Sequence, residues 1–141
     1  MDAVARYREA SERNDIEVLV ETLAADAQLV SPLSGRMVFR GKEDLRVLLT
    51  AIYGTLKGLR WREEIGDHSM RAVVGDARVG PVTLGDVTVF ELDESGRIQR
   101  IRPYLRPWLG LTLLALRLVP NIARNPGLVW RARRAAAKTR S

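Results

Sequence analysis

Few side chains in this sequence can do chemistry near neutral pH. There is one histidine, His68, and no cysteine among 141 residues. Disulfides, thiolate nucleophiles and structural zinc sites are excluded within it, as is any mechanism that needs two histidines. His68 lies in Gly66-Asp67-His68-Ser69, a set of turn residues, and is expected to be solvated. What is left is oxygen chemistry from carboxyls and phenols. Asp86, Thr88 and Phe90 alternate onto one face of an apolar strand, with Val87, Val89 and Glu91 on the other. A carboxyl beside Phe90 suits a pocket wall, and it equally suits a pair with one of the chain's many arginines. Tyr7 shares a helical stripe with Val4 and Ala10, and its ring is either core packing or a hydrogen-bonding handle. Trp61 falls on a strand that lines either a cavity or a dimer surface. Glu63 and Glu64 are strand neighbours that point to opposite faces, which argues against a carboxylate dyad.

These groups must be held by a scaffold, and the periodicity supplies one. Residues 2 to 13 read as a first, polar helix, and Asn14-Asp15 offers a cap. Ile16, Leu19, Val20 and Leu23 repeat at helical spacing for a second. A short strand is expected near Gln28 to Ser31, stopped by Pro32, then a turn at Gly35 and an extended piece at Met37 to Phe39. Glu43 and Asp44 open a third helix, where the dipole favours negative charge. Its stripe is Leu45, Leu48, Leu49, Ile52, Tyr53 and Leu56. Strands are then expected at 59 to 65, 70 to 79, 82 to 92 and 97 to 105. Asp93-Glu94-Ser95-Gly96 makes a hairpin turn between the last two. Helices followed by a mostly antiparallel sheet give an α+β layout with the helices over one sheet face.

Charge divides the chain. Residues 1 to 100 carry a net −3 and the remainder +9, for the total of +6, and no acid follows Glu94. The sequence therefore reads as a domain over residues 1–106 and a basic, leucine-rich helical tail over 107–141. The apolar run from Trp108 to Val119 is shorter than the roughly 20 residues a bilayer span requires, and Pro120 is expected to end it. Asn125-Pro126 then starts a basic helix over Leu128 to Lys138. Three roles stay open for the tail: docking on the domain or a partner, lying on an anionic membrane surface, or binding nucleic acid. The last has charge in its favour but no motif. The polar start, with Asp2 and Glu9, does not read as a signal peptide, so the expected location is cytoplasmic, with peripheral membrane attachment open.

Several segments together carry a family likeness. Val4-Ala5-Arg6-Tyr7, Asn14-Asp15-Ile16, Leu23-Ala24-Ala25-Asp26-Ala27, Ser31-Pro32 and Phe39-Arg40-Gly41-Lys42-Glu43-Asp44-Leu45 stand in order. Asp86-Val87-Thr88-Val89-Phe90 and Asp93-Glu94-Ser95-Gly96-Arg97-Ile98 follow. Over residues 3 to 105 this resembles the nuclear transport factor 2-like superfamily, in its SnoaL-like and ketosteroid isomerase-like branches. The resemblance implies a cone-shaped α+β fold with a pocket at its open end, and a homodimer. In ketosteroid isomerases a tyrosine and a protonated aspartic acid form an oxyanion hole. By position these are Tyr7 and Asp86. The base position falls on Ser31, whose hydroxyl is too weakly basic to serve. The resemblance to SnoaL-like cyclases implies an acidic residue before a proline after the last strand. That position, before Pro107, falls on Arg106, whose guanidinium cannot accept a proton. Tyr53, Trp61, Phe90 and Tyr104 are the aromatic candidates to line the pocket. The expected ligand is a small apolar or cyclic, polyketide-like molecule, with isomerase, dehydratase or cyclase chemistry and neither cofactor nor metal. The alternative is a non-catalytic binding module held by its tail on a membrane surface or a partner protein.

Overall fold

A computed structural model describes residues 2–33, 36–106 and 108–140, with the side chains of 108–111 and 135–140 excepted. The turn expected at Gly35 lies outside the described residues. So do the side chains of Trp108, Leu109, Leu111, Lys138 and Arg140. Helix α1 (Ala3–Arg13) starts where the Asp2 carboxylate accepts from the Ala5 N–H at 2.8 Å, and ends at Asn14 in the left-handed region (φ 56°). Asp15 then caps α2 (Ile16–Glu21) by accepting from the Val18 N–H. The two candidate cap residues thus serve different helices, one closing α1 and the next opening α2.

Six strands form one sheet in the order β2-β1-β6-β5-β4-β3. Strands β3 (Lys57–Gly66), β4 (Met70–Val79), β5 (Val82–Leu92) and β6 (Ile98–Arg106) form an antiparallel meander. Strand β1 (Leu23–Val30) pairs parallel with β6 and antiparallel with β2 (Val38–Arg40). The structure departs from the sequence expectation here in two places. Leu23 opens β1 rather than continuing the second helix, and β1 starts five residues before Gln28. Leu23-Ala24-Ala25-Asp26 has little intrinsic strand preference. Pairing of Leu23 with Ile98, across a register shift before Gln28, makes it a strand.

The helices cover one face. Helix α3 (Lys42–Thr55) buries Leu45, Leu48 and Leu49 against β1. The core continues through Val4, Tyr7 and Ala10 of α1 and Leu84, Phe90, Ile98 and Ile101 of the sheet. It also takes in Leu114 and Leu118 of α4 (Trp108–Ala123) and Leu128 and Ala132 of α5 (Pro126–Arg140), so both tail helices rest on the sheet-and-helix body. A bidentate ion pair from Arg131 to Asp44, at 2.7 and 2.8 Å, ties α5 to the start of α3. Pro120 does not end the apolar helix but lies inside α4. A proline there deprives the Leu116 carbonyl of its helical donor. Leu116 and Pro120 are both exposed, so water can replace that donor, while buried Leu118 and half-buried Ile122 hold the inner side.

Candidate active site

Helices α1, α3 and α4 and the inner face of the sheet enclose a cavity of about 250 Å³. Its walls are almost wholly apolar, including Leu29, Phe39, Leu49, Ile101 and Leu118. Five polar side chains reach it: Tyr7, Ser31, Tyr53, Asp86 and Thr88. All but Ser31, which lies in the loop after β1, arrive by simple periodicity. Tyr7 and Tyr53 stand on the inward stripes of α1 and α3, and their hydroxyl oxygens meet at 2.8 Å. Asp86 and Thr88 are two residues apart on β5 and face inward with Phe90, as period two requires.

Asp86 is 8% exposed and has no cationic partner among the described residues. The Thr88 hydroxyl donates to its Oδ1 at 2.7 Å. Burial away from water raises its pKa to about 6, against the smaller opposing effect of that hydrogen bond. Burial also pushes both phenols up, and Asp86 adds to the effect as a nearby negative charge. The cavity therefore gathers three proton-bearing groups below pH 6 and offers a titratable carboxyl near neutrality. Ser31 is at the rim: its N–H donates to the Met37 carbonyl and its Oγ accepts from the Leu33 N–H at 3.2 Å. That is turn chemistry, and it gives Ser31 no basic character.

The other aromatic candidates fall elsewhere. Phe90 is fully buried and stacks edge-on against Tyr7, with centroids 5.0 Å apart, backing the phenol rather than lining the cavity. Trp61 lies off the cavity altogether. Its indole packs over Gly75, where a Cβ would come within 2.8 Å of the ring, and its N–H donates to Ser11 Oγ at 2.8 Å. Tyr104 alternates with the cavity residues Pro103 and Leu105 and so faces outward, 56% exposed. Arg102 also points outward, to Glu91 at 3.3 Å. His68 is exposed in its turn. Sequence reasoning does not single out Thr88 as the partner of Asp86, although the i, i+2 spacing is there to find. Docking of the leucine helix on the domain is one of the roles read for the tail, but the sequence does not single out Leu114, Leu118 and Ile122 as the residues of the cavity wall. Their signal is the leucine run itself, which does not say what it covers. Among the described residues no cluster of His, Cys, Asp or Glu could hold a metal.

Comparison with solved structures places this architecture. An uncharacterized protein with a cystatin-like fold from Silicibacter pomeroyi DSS-3 superposes with a TM-score of 0.85 at 20% identity, covering 92% of this chain and 93% of that one. A steroid delta-isomerase from Pseudomonas aeruginosa gives 0.79 at 20% identity, over 89% and 92%. The fold is nuclear transport factor 2-like. An epoxide hydrolase from Mycobacterium tuberculosis, described as LEH-like, gives 0.59 at 22% identity over 87% and 94%. These likenesses span nearly the whole chain, and they establish the nuclear transport factor 2-like architecture rather than an activity. No protein-family model and no curated protein matches the sequence.

Proposed function

We infer that the cavity binds a small apolar or cyclic molecule by a single oxygen, held by Asp86 and the Tyr7–Tyr53 pair. The observation that carries this reading is the buried Asp86 carboxyl, which shares an otherwise apolar cavity with two linked phenols. Such a wall excludes water, so each hydrogen bond to a ligand oxygen counts for more than it would in solvent. Protonated Asp86 donates to a ligand carbonyl as the phenols do, and above pH 6 the carboxylate accepts a proton instead. This supports mild proton-transfer chemistry of the isomerase, dehydratase or cyclase kind. Ser31 supplies no base, so fast isomerisation of a Δ5-3-ketosteroid is not expected.

Titration calorimetry with 2-naphthol and with a bicyclic enone tests the reading. Enone binding should weaken as pH rises through 6, because the carboxylate no longer donates. In Asp86→Asn it should lose that pH dependence. Absence of binding by both probes, or enone binding indifferent to pH in the wild type, would overturn the reading.

The outer sheet face supports pairing of two copies. Ile65, Met70, Val87 and Tyr104 are exposed there, on a face that no described helix covers. Sedimentation velocity of Val87→Lys against wild type checks it, since a buried lysine opposite its own copy would split the dimer.

A further inference from the structure

Helix α4 presents two apolar faces. Leu114, Leu118 and Ile122 line the cavity, while Leu116 and Val119 are 64% and 58% exposed. Val119 belongs to both sets, and so does Leu33 in the loop after β1, at 57% exposure. The cavity therefore reaches the surface at Leu33 and Val119, two apolar side chains on the rim that also carries Ser31.

Beside this rim the surface turns cationic. Arg117 on α4, Arg124 in the turn after it, and Arg133 and Arg134 on α5 are exposed. Among the described residues the one ion pair that reaches either helix is Arg131 with Asp44. That pair fixes α5 while Arg133 and Arg134 stay in solvent. Trp130 is 61% exposed, with the Arg134 guanidinium 4.9 Å above its ring. The loop that carries Leu33 joins β1 to β2, and α5 lies against β2, so rim and basic helix are neighbours at one sheet edge.

Exposed apolar side chains interleaved with unpaired arginines match an interfacial helix, whose apolar face enters the acyl boundary while cations meet the headgroups. A nucleic acid would engage the arginines but leave Leu33, Leu116 and Val119 without a partner, and one aromatic is a poor stacking platform. No described helix is long and apolar enough to cross a membrane, so the helices would lie on the surface. We propose that α4 and α5 dock this protein on an anionic lipid surface with the cavity mouth turned toward the bilayer. An apolar ligand would then pass between lipid and cavity; that corollary rests on the binding reading above, whereas the docking does not.

The test uses full-length protein and vesicles of phosphatidylcholine alone or mixed equally with phosphatidylglycerol. At about 0.1 M salt the protein should pellet with the mixed vesicles and not with the neutral ones. It should be released at about 1 M, where the screening length falls to about 3 Å. The triple variant Arg124→Gln/Arg133→Gln/Arg134→Gln should lose on the order of 100-fold in partitioning, at about fivefold per charge. Val119→Glu should lose at least about fivefold with every arginine kept, because it sets an anion at the rim. All four sites are exposed, and a thermal melt confirms that the variants fold. Equal partitioning onto both vesicle types, or onto neither, overturns the proposal. Wild-type binding by the triple variant does the same, and Val119→Glu binding as wild type turns the mouth away from the lipid. Retention by a duplex oligonucleotide without any by vesicles gives the surface to nucleic acid instead.

Discussion

Asp86 and Glu91 sit five residues apart on β5 and face opposite sides of the sheet. On the inner side, Asp86 meets one hydroxyl donor and apolar walls, and burial raises its pKa to about 6. On the outer side, Glu91 lies 3.3 Å from Arg102 and 3.8 Å from Arg100; these side chains are partly exposed, although the facing atoms Glu91 Oε2, Arg100 Nε and Arg102 Nε are covered. One strand thus holds two carboxyls in opposite conditions. An ion pair in partial solvent is a structural arrangement of small energetic weight. A buried carboxyl without a cation stores a cost, which suggests use. The same contrast separates the aromatics: Phe90 inside is fully buried, and Tyr104 outside is open.

The hardest test of that contrast is truncation on each side. Phe90→Ala should cost about 3–5 kcal/mol in urea unfolding, from lost burial and the cavity left under Tyr7. Tyr104→Ala should cost about 0.5 kcal/mol or less, as usual for exposed positions. A large loss at Tyr104 would mean that a second copy covers the outer face.

Next is the carboxyl itself. Folding raises the Asp86 pKa from 3.8 to about 6, so the folded state keeps this proton to higher pH than the unfolded chain. Its contribution is most favourable below about pH 4 and is lost as pH rises through 6. A shift of this size corresponds to on the order of 3 kcal/mol. Asp86→Asn should therefore unfold later than wild type at pH 8 and lose that advantage at pH 4. Equal stability at pH 8 would show that water or a cation already compensates the charge.

Tyr7→Phe leaves the Tyr53 hydroxyl without its 2.8 Å partner and should cost about 1 kcal/mol in thermal unfolding. Little change would mean that Tyr53 finds water in the cavity. On the outer side the effect of removing a charge is small, as for Tyr104. Glu91→Gln should cost about 0.2–1 kcal/mol, and less at high salt. A salt-independent loss well above that range would mean that the partly exposed Glu91–Arg102 cluster is covered by a second copy.

Much of this protein is legible in its amino-acid sequence. Local periodicity places α1, α3 and the four-strand meander, because a stripe of apolar residues names its own face. It also sets Asp86, Thr88 and Phe90 inward and Tyr7 and Tyr53 on helical stripes. Where sequence reasoning fails, the deciding contact is distant in the chain. Strand β1 begins at Leu23 because Ile98 pairs with it, and Trp61 leaves the cavity because Gly75 opens room beside β3. Tyr104 is set outside by alternation with Leu105, but only once the direction of β6 is known. Helix α4 passes through Pro120 because Leu118 and Ile122 hold its inner side and water reaches its outer one. The pocket's acidity is likewise tertiary. The residue type supplies a carboxyl, but only the packing of α1, α3 and α4 over β5 removes the water that would keep its pKa ordinary. Composition and period fix what one segment can bury on its own, and the meeting of segments far apart in sequence decides what a side chain finally faces.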